Sequence, residues 1–296
     1  MLLLSFVKNI IIEIKDPTMP YIKKNTDNSA SVNLYFEDLG SGKPVILIHG
    51  WPVSHEMWEY QVTALVNAGY RCISYDRRGF GQSDKPWTGY DYDTLTDDLH
   101  EVITALDLTD VTLVGFSMGG GEVVRYLGRY GSSRVSKAVL VSSVVPLLVK
   151  TEDHEEGVPR EMFDEIIANI HKDRPAFLTD FGKQFFSEGV LNKPVSPEIQ
   201  NWMHHMAVIS SPKATADCVR SFSETDLRTD LRNITVPMMI IHGDDDKTVP
   251  IKATSEITSS MLPTAEYYIF EGAPHGLFIT NKDELNNLLI NFLNKY

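Results

Sequence analysis

The stretch that most restricts what this chain can become is VTLVGFSMGGG, residues 111–121. Val111, Leu113 and Val114 have the apolar character of a short buried strand, and residues 122–130 have a helical pattern, so Ser117 falls on the turn between them. Such a turn needs small neighbours. Gly115 and Gly119 let strand and helix cross with no Cβ in the way, and the tight backbone throws the Ser117 hydroxyl outward. The first N–H groups of the following helix have no acceptor inside it and point at the same spot, which suits a developing negative charge. Taken alone, G-x-S-x-G also fits a glycine-rich turn with a capping serine. Reading Ser117 as a nucleophile therefore depends on partners elsewhere in the chain.

The surrounding pattern supplies a frame for it. Residues 32–38 alternate as an edge strand, and PVILIHG at 44–50 contains four consecutive apolar residues, which suits a strand covered on both faces. A helical segment at 56–67 leads to the strand YRCISYD at 70–76; a loop, RRGFGQSDKP at 77–86, leads to a helix at 92–106 and the elbow strand. VSKAVLVSSV at 135–144 reads as another buried strand. Strand, helix, strand at this spacing predicts a mostly parallel sheet flanked by helices.

From 146 to 222 the rhythm changes to helix and loop rich in Phe and Met, including Phe163, Phe177, Phe181, Phe185, Phe186 and Met206. That interval is too long for a simple crossover and predicts an inserted helical cap, whose aromatics serve cap packing or line a pocket. Strands return in VPMMIIHGD at 236–244 and AEYYIFEG at 265–272, with helices at 251–261 and 282–293. The core is thus expected in two pieces, 19–145 and 223–296.

Composition limits the partners. A 296-residue chain with 43% apolar residues can bury a sizeable α/β core, and its formal net charge of −13 argues against nucleic-acid binding. Cys72 and Cys218 form no metal or redox pattern and read as buried free thiols. The G-x-G-x-x-G fingerprint, the H-E-x-x-H pair and the EF-hand run are all missing, so neither a cofactor nor a metal is expected. The opening MLLLSFVKNIIIEIKD is apolar, but it has no basic run before the apolar part and is interrupted by Lys8 and Glu13. It is too short to span a bilayer and has no clear small-x-small cleavage site, which gives the expectation of a cytoplasmic protein with no membrane partner, residues 1–18 being an extension outside the fold.

A serine hydroxyl is a poor nucleophile near neutral pH; it needs a base, and the base needs an anion to fix its tautomer. His275, in EGAPHG after the last strand, is the only histidine after His242. The acid has three candidates in HGDDDKTVP, residues 242–250: Asp244, Asp245 and Asp246. Asp246 is favoured, because Asp244 lies nearer the strand end and suits local backbone bonds. The order Ser, Asp, His is the α/β-hydrolase order. An oxyanion needs two donors: the N–H of Met118 follows the nucleophile, and the N–H of Trp51 is the best placed in the loop after PVILIHG, since Pro52 has none. His49 reads as structural, and Arg77 and Arg78 beside Asp76 as an ion-pair network.

These motifs are specific. HGWP at 49–52, YDRRGFGQSDKPWTGYDYDT at 75–94, LDLTDVTLVGFSMGGGEVVRY at 106–126, ETDLR at 224–228, IHGDDDKTVP at 241–250 and APHG at 273–276 closely resemble the cofactor-free bacterial haloperoxidases, also known as arylesterases and perhydrolases, within the α/β-hydrolases. The resemblance covers about residues 20–296. It implies Ser117 as nucleophile, Asp246 as acid and His275 as base, with Trp51 and Met118 as oxyanion donors. The family's HGDGD pattern lands its second aspartate on Asp246, and this chain departs from it by placing Asp245 where glycine is usual. It further implies that Phe185 and Phe222, beside Trp51, line a small apolar acyl site, and that Pro52 affects the Trp51 carbonyl in members that favour peroxide.

The expected activity is cleavage of small carboxylic esters through an acyl-enzyme, with water or hydrogen peroxide as the second substrate and peracid as the product of the latter. A lactonase, thioesterase or carbon–carbon bond hydrolase on the same fold is the alternative, and a non-catalytic binding protein a more distant one. Assembly into a homo-oligomer is left open by the sequence.

Overall fold

The computed structural model describes residues 20–26 and 29–295; the extension expected at 1–18 lies outside the described residues. Among the described residues eight strands form one sheet: β1 (Tyr21–Thr26), β2 (Ser29–Gly40), β3 (Pro44–Ile48), β4 (Arg71–Tyr75), β5 (Val111–Phe116), β6 (Val135–Val141), β7 (Met238–Gly243) and β8 (Glu266–Phe270). They lie in the order β1-β2-β4-β3-β5-β6-β7-β8; β1 with β2 and β2 with β4 are antiparallel, and the rest are parallel. The strand expected at 32–38 is therefore longer and is not an edge. β1 covers it, a segment whose polar sequence YIKKNT carries no apolar alternation to announce it.

The central parallel strands β3 and β5 are almost wholly buried and mostly apolar because both their faces are covered. In β3 and β5, Val45, Leu47, Val114 and Phe116 enter one core with the helices α1 (Glu59–Asn67) and α10 (Lys282–Lys295). Ile46, Ile48 and Leu113 enter another with α2 (Tyr92–Ala105) and α3 (Met118–Tyr130). The alternation is the period of two that a strand imposes on its side chains.

Between β6 and β7 the chain leaves the sheet for α4 (Arg160–Phe185), α5 (Pro197–Val208), α6 (Pro212–Glu224) and α7 (Arg228–Leu231). α4 kinks where Asp173 leaves helical geometry two residues before Pro175, since proline removes a donor and crowds the preceding turn. Trp51, Met118, Phe163, Val219 and Phe222 belong to a third apolar cluster that joins this insertion to the sheet. After β7 come α8 (Ser255–Met261) and, beyond β8, the one-turn α9 (Leu277–Thr280).

The sequence runs from β3 outward to β4 and from β5 outward in the other direction, so the order reverses between β3 and β5. Open α/β sheets bind their ligands at such a reversal, at the carboxyl ends of the strands. The loops after β3, β5, β7 and β8 all leave the sheet from that edge.

Candidate active site

The elbow is held by close approach. Ser117 has φ 54° and ψ −119°, a left-handed backbone that costs a non-glycine residue energy. Its N–H is tied to the Val141 carbonyl at 2.9 Å. α3 starts at Met118, four residues before the expected position. A Cβ on Gly115 would lie 2.4 Å from the Gly119 carbonyl oxygen, and one on Gly119 would lie 2.5 Å from the Ile48 carbonyl oxygen. Only glycine permits the helix to begin this near the two central strands.

His275 comes from the loop after β8 and Asp246 from the loop after β7. His275 Nε2 lies 3.0 Å from Ser117 Oγ, and His275 Nδ1 lies 2.6 Å from Asp246 Oδ2. All three residues are buried. The other Asp246 oxygen accepts the N–H groups of Thr248 at 2.9 Å and Val249 at 2.8 Å. Burial alone would raise the pKa of this carboxyl, but the His275 and His242 rings beside it hold it well below the usual carboxylate range. A carboxylate at Nδ1 requires a proton there, which leaves the Nε2 lone pair facing the Ser117 hydroxyl.

The neighbouring aspartates do other things. Asp244 Oδ1 accepts the Gly272 N–H at 2.6 Å and so ties the β7 loop to the β8 loop. Asp245, where the family pattern has glycine, is partly exposed and pairs with Lys247 at 3.2 Å.

The two expected oxyanion donors come from the loop after β3 and from the first residue of α3. Met118 opens α3, so its N–H has no acceptor inside the helix. Among the described residues the Trp51 N–H has none either. The Trp51 indole Nε1 donates to the Thr215 carbonyl at 3.0 Å, which fastens this loop to α6.

The loop after β3 is also fastened from below. Arg77 Nη2 donates to the His49 carbonyl at 2.7 Å, the Arg77 N–H donates to His49 Nε2 at 2.9 Å, and Arg77 Nε donates to Glu122 of α3 at 2.7 Å. Arg78 pairs with Asp98 at 2.6 Å. Both arginines are buried in ion pairs. Cys72 and Cys218 are free and buried.

Ser117 and His275 open into a cavity of about 540 Å³. Trp51 and Phe222 line it with ring centroids 5.5 Å apart. Phe177 and Phe181 of α4, Val144 and Leu148 are also part of its apolar wall. Phe185 does not line this cavity, which corrects the expectation for it. Its ring stands edge-on to His275 at 4.8 Å and faces a second cavity of about 410 Å³ between α4 and α5. Phe177, Phe181 and Phe185 follow one another at intervals of four, and successive residues at that spacing turn about 40° round a helix axis. The signal for the two wall residues was that aromatic spacing in the sequence.

The fold defines the class. The family model for the alpha/beta hydrolase fold matches residues 43–282, and the chain belongs to that family as an enzyme of the serine-hydrolase class. Within the class, its relatives are cofactor-free haloperoxidases and esterases. A non-heme chloroperoxidase of Kitasatospora aureofaciens is 41% identical over 266 residues, 89% of this chain and 97% of that one. A bifunctional esterase/perhydrolase of Acinetobacter calcoaceticus is 35% identical, over 88% of this chain and 96% of its own length. The crystal structure of a bromoperoxidase from Bacillus anthracis superposes with a TM-score of 0.88 at 48% identity, covering 90% of this chain and 98% of that one.

Proposed function

We propose that the chain cleaves small carboxylic esters through an acyl-enzyme on Ser117 and passes the acyl group to water or to hydrogen peroxide. The observation that carries this reading is the pair of contacts on His275, with Ser117 Oγ 3.0 Å from one ring nitrogen and Asp246 Oδ2 2.6 Å from the other.

As the hydroxyl attacks the ester carbonyl, His275 Nε2 takes its proton and Asp246 stabilises the imidazolium. The N–H groups of Trp51 and Met118 hold the oxyanion, each contributing about 3 to 4 kcal/mol to the transition state. His275 returns the proton to the leaving alcohol. Water attacking the acyl-enzyme releases the carboxylic acid; hydrogen peroxide attacking it releases the peracid and frees Ser117. A peracid oxidises bromide or chloride in solution to the hypohalous acid and is itself reduced to the carboxylate. Haloperoxidase activity then needs no redox centre in the protein.

In this reading residues 146–222 act as a cap over Ser117, and the apolar wall of Trp51, Phe181 and Phe222 receives the acyl or aryl part of the substrate. The names of the relatives support the choice of chemistry.

The test is a panel of short esters, lactones and thioesters, each turned over with and without hydrogen peroxide, together with labelling by a fluorophosphonate. The expected result is ester cleavage, peracid formation when peroxide is present, and labelling that disappears in Ser117→Ala. Labelling that survives in a folded Ser117→Ala protein would overturn the assignment of the nucleophile. Preference for lactones or thioesters would overturn the substrate class.

A further inference from the structure

Asp246 lies against two histidines, and the proposed reaction uses one of them. His242, near the end of β7, is fully buried. Its Nε2 lies 2.9 Å from the Val249 carbonyl oxygen and 3.1 Å from Asp246 Oδ2, the same oxygen that receives His275 Nδ1. Both neighbours of Nε2 are acceptors, so Nε2 holds a proton, aimed at the Val249 oxygen with Asp246 Oδ2 beside it. The second ring nitrogen, Nδ1, lies 2.5 Å from the hydroxyl of Ser255 at the start of α8. A ring protonated on Nε2 can accept the Ser255 proton there, and this fixes its orientation from the far side.

We propose that His242 is a positioning residue for the reaction: its Nε2–H steadies Asp246 Oδ2 and draws off part of the negative charge that the His275 imidazolium meets. The proposal rests on the reading of Ser117, His275 and Asp246 given above and adds a residue that works through the acid.

Both histidine rings lie against one oxygen of Asp246, Oδ2. Thr248 and Val249 hold one oxygen and His275 the other, while the His242 Nε2–H, bonded to the Val249 carbonyl, lies 3.1 Å from that second oxygen, which restricts rotation of the carboxylate. A donor at Oδ2 also weakens the attraction of that oxygen for a proton on His275. Removing the His242 N–H therefore makes Asp246 a stronger partner for the imidazolium and a less well-held one. His242 is faced by Ser255 from α8 and by Val249 and Asp246 from the loop; His275 is faced by Asp246, Ser117 and the uncharged rings of Phe116 and Phe185. Among the described residues no lysine, arginine or further carboxylate pairs with either ring.

The experiment compares His242→Leu and His242→Gln with the unsubstituted enzyme in kcat/KM against pH on a short ester. His242→Leu is expected to raise the midpoint of the acid limb by about 0.5 to 1 unit and to lower kcat about 10-fold, with KM little changed. His242→Gln keeps an N–H donor and is expected to hold the midpoint within about 0.2 unit of the parent. A folded His242→Leu enzyme with an unmoved midpoint overturns the proposal, and so does an equal shift in both variants.

A second measurement covers a leucine variant that does not fold. Nitrogen-15 spectra of the histidines in the unsubstituted chain are expected to show His242 with its proton on Nε2. A proton on Nδ1 alone overturns the proposal, and this result does not depend on whether Ser117 is the nucleophile.

Discussion

The ring of Phe185 stands edge-on against the imidazole of His275, with centroids 4.8 Å apart and planes at 87°. Phe185 also gives its carbonyl oxygen to the Gly276 N–H at 2.9 Å, so α4 holds the histidine loop through both side chain and backbone. The contact suits Phe185 to support the proposed base, and the proposed acyl wall falls to Trp51, Phe181 and Phe222. Phe185→Leu is expected to lower kcat by a similar factor for short and long esters, leaving the order of preference among them unchanged. Phe222→Leu, by contrast, is expected to change that order chiefly through KM. Steady-state rates on an acyl-length series separate the two; a changed order in Phe185→Leu alone would return that residue to the acyl site.

The three consecutive aspartates are expected to respond differently to substitution. Asp246→Asn removes the charge that fixes the His275 tautomer and is expected to lower kcat by about 10⁴-fold. Asp245→Asn touches only the pair with Lys247 and is expected to leave turnover within about two-fold. Asp244→Ala loses the bond from Gly272 and is expected to cost about 1 kcal/mol of stability with little change in kcat. Turnover and urea midpoints measured on the three variants check this ranking, and near-parental turnover in Asp246→Asn would end the assignment of the acid.

How far the sequence could be read depended on whether the determinant was local. The elbow was legible because a buried strand, a serine between small residues and a helix are all written within twenty positions. The start of α3 was not, since consecutive glycines are poor helix formers. It is packing of Gly119 beneath the Ile48 carbonyl that makes glycine the right residue there. β1 was hidden because its pairing with β2 rests on backbone bonds rather than on an apolar pattern. In the acid loop, spacing alone left three aspartates, because a loop has no period to say which side chain turns inward. The place of Phe185 was illegible for another reason: a shift of 40° around α4 decides which of two adjacent cavities a ring enters.

Gly119 offers a direct test of the elbow packing. A methyl group there would lie 2.5 Å from the Ile48 carbonyl oxygen and 2.8 Å from that of His49, and backbone atoms cannot step aside as a flexible side chain can. Gly119→Ala is expected to cost about 1 to 3 kcal/mol of stability by overpacking. The same displacement moves the N-terminus of α3, and with it the Met118 N–H, so kcat is expected to fall more than KM rises. Urea unfolding and steady-state kinetics on one preparation measure both effects. Parental stability and turnover in this variant would show that the helix start tolerates displacement.

His49 ties the stability of the protein to pH. Burial, and then the charge of Arg77, lower its pKa from 6.5 to about 3, so the folded protein keeps the ring neutral. Its Nε2 accepts the Arg77 N–H, and its Nδ1–H lies 2.8 Å from the Gly50 carbonyl oxygen, an arrangement that only a neutral ring can make. The unfolded chain binds a proton at this residue near pH 6.5, whereas the folded chain does not until about pH 3. The contribution of His49 is therefore intact above pH 6.5 and lost as the pH falls from there toward 3, at a slope approaching about 1.4 kcal/mol per pH unit. His55, whose pKa is raised in the folded protein, works in the opposite direction, so the two must be separated by substitution. His49→Gln removes the titrating group, and its urea-unfolding free energy is expected to fall less steeply than that of the parent between pH 6.5 and 5. Equal slopes in the two proteins would mean that the ring binds its proton as readily in the folded state as in the unfolded one.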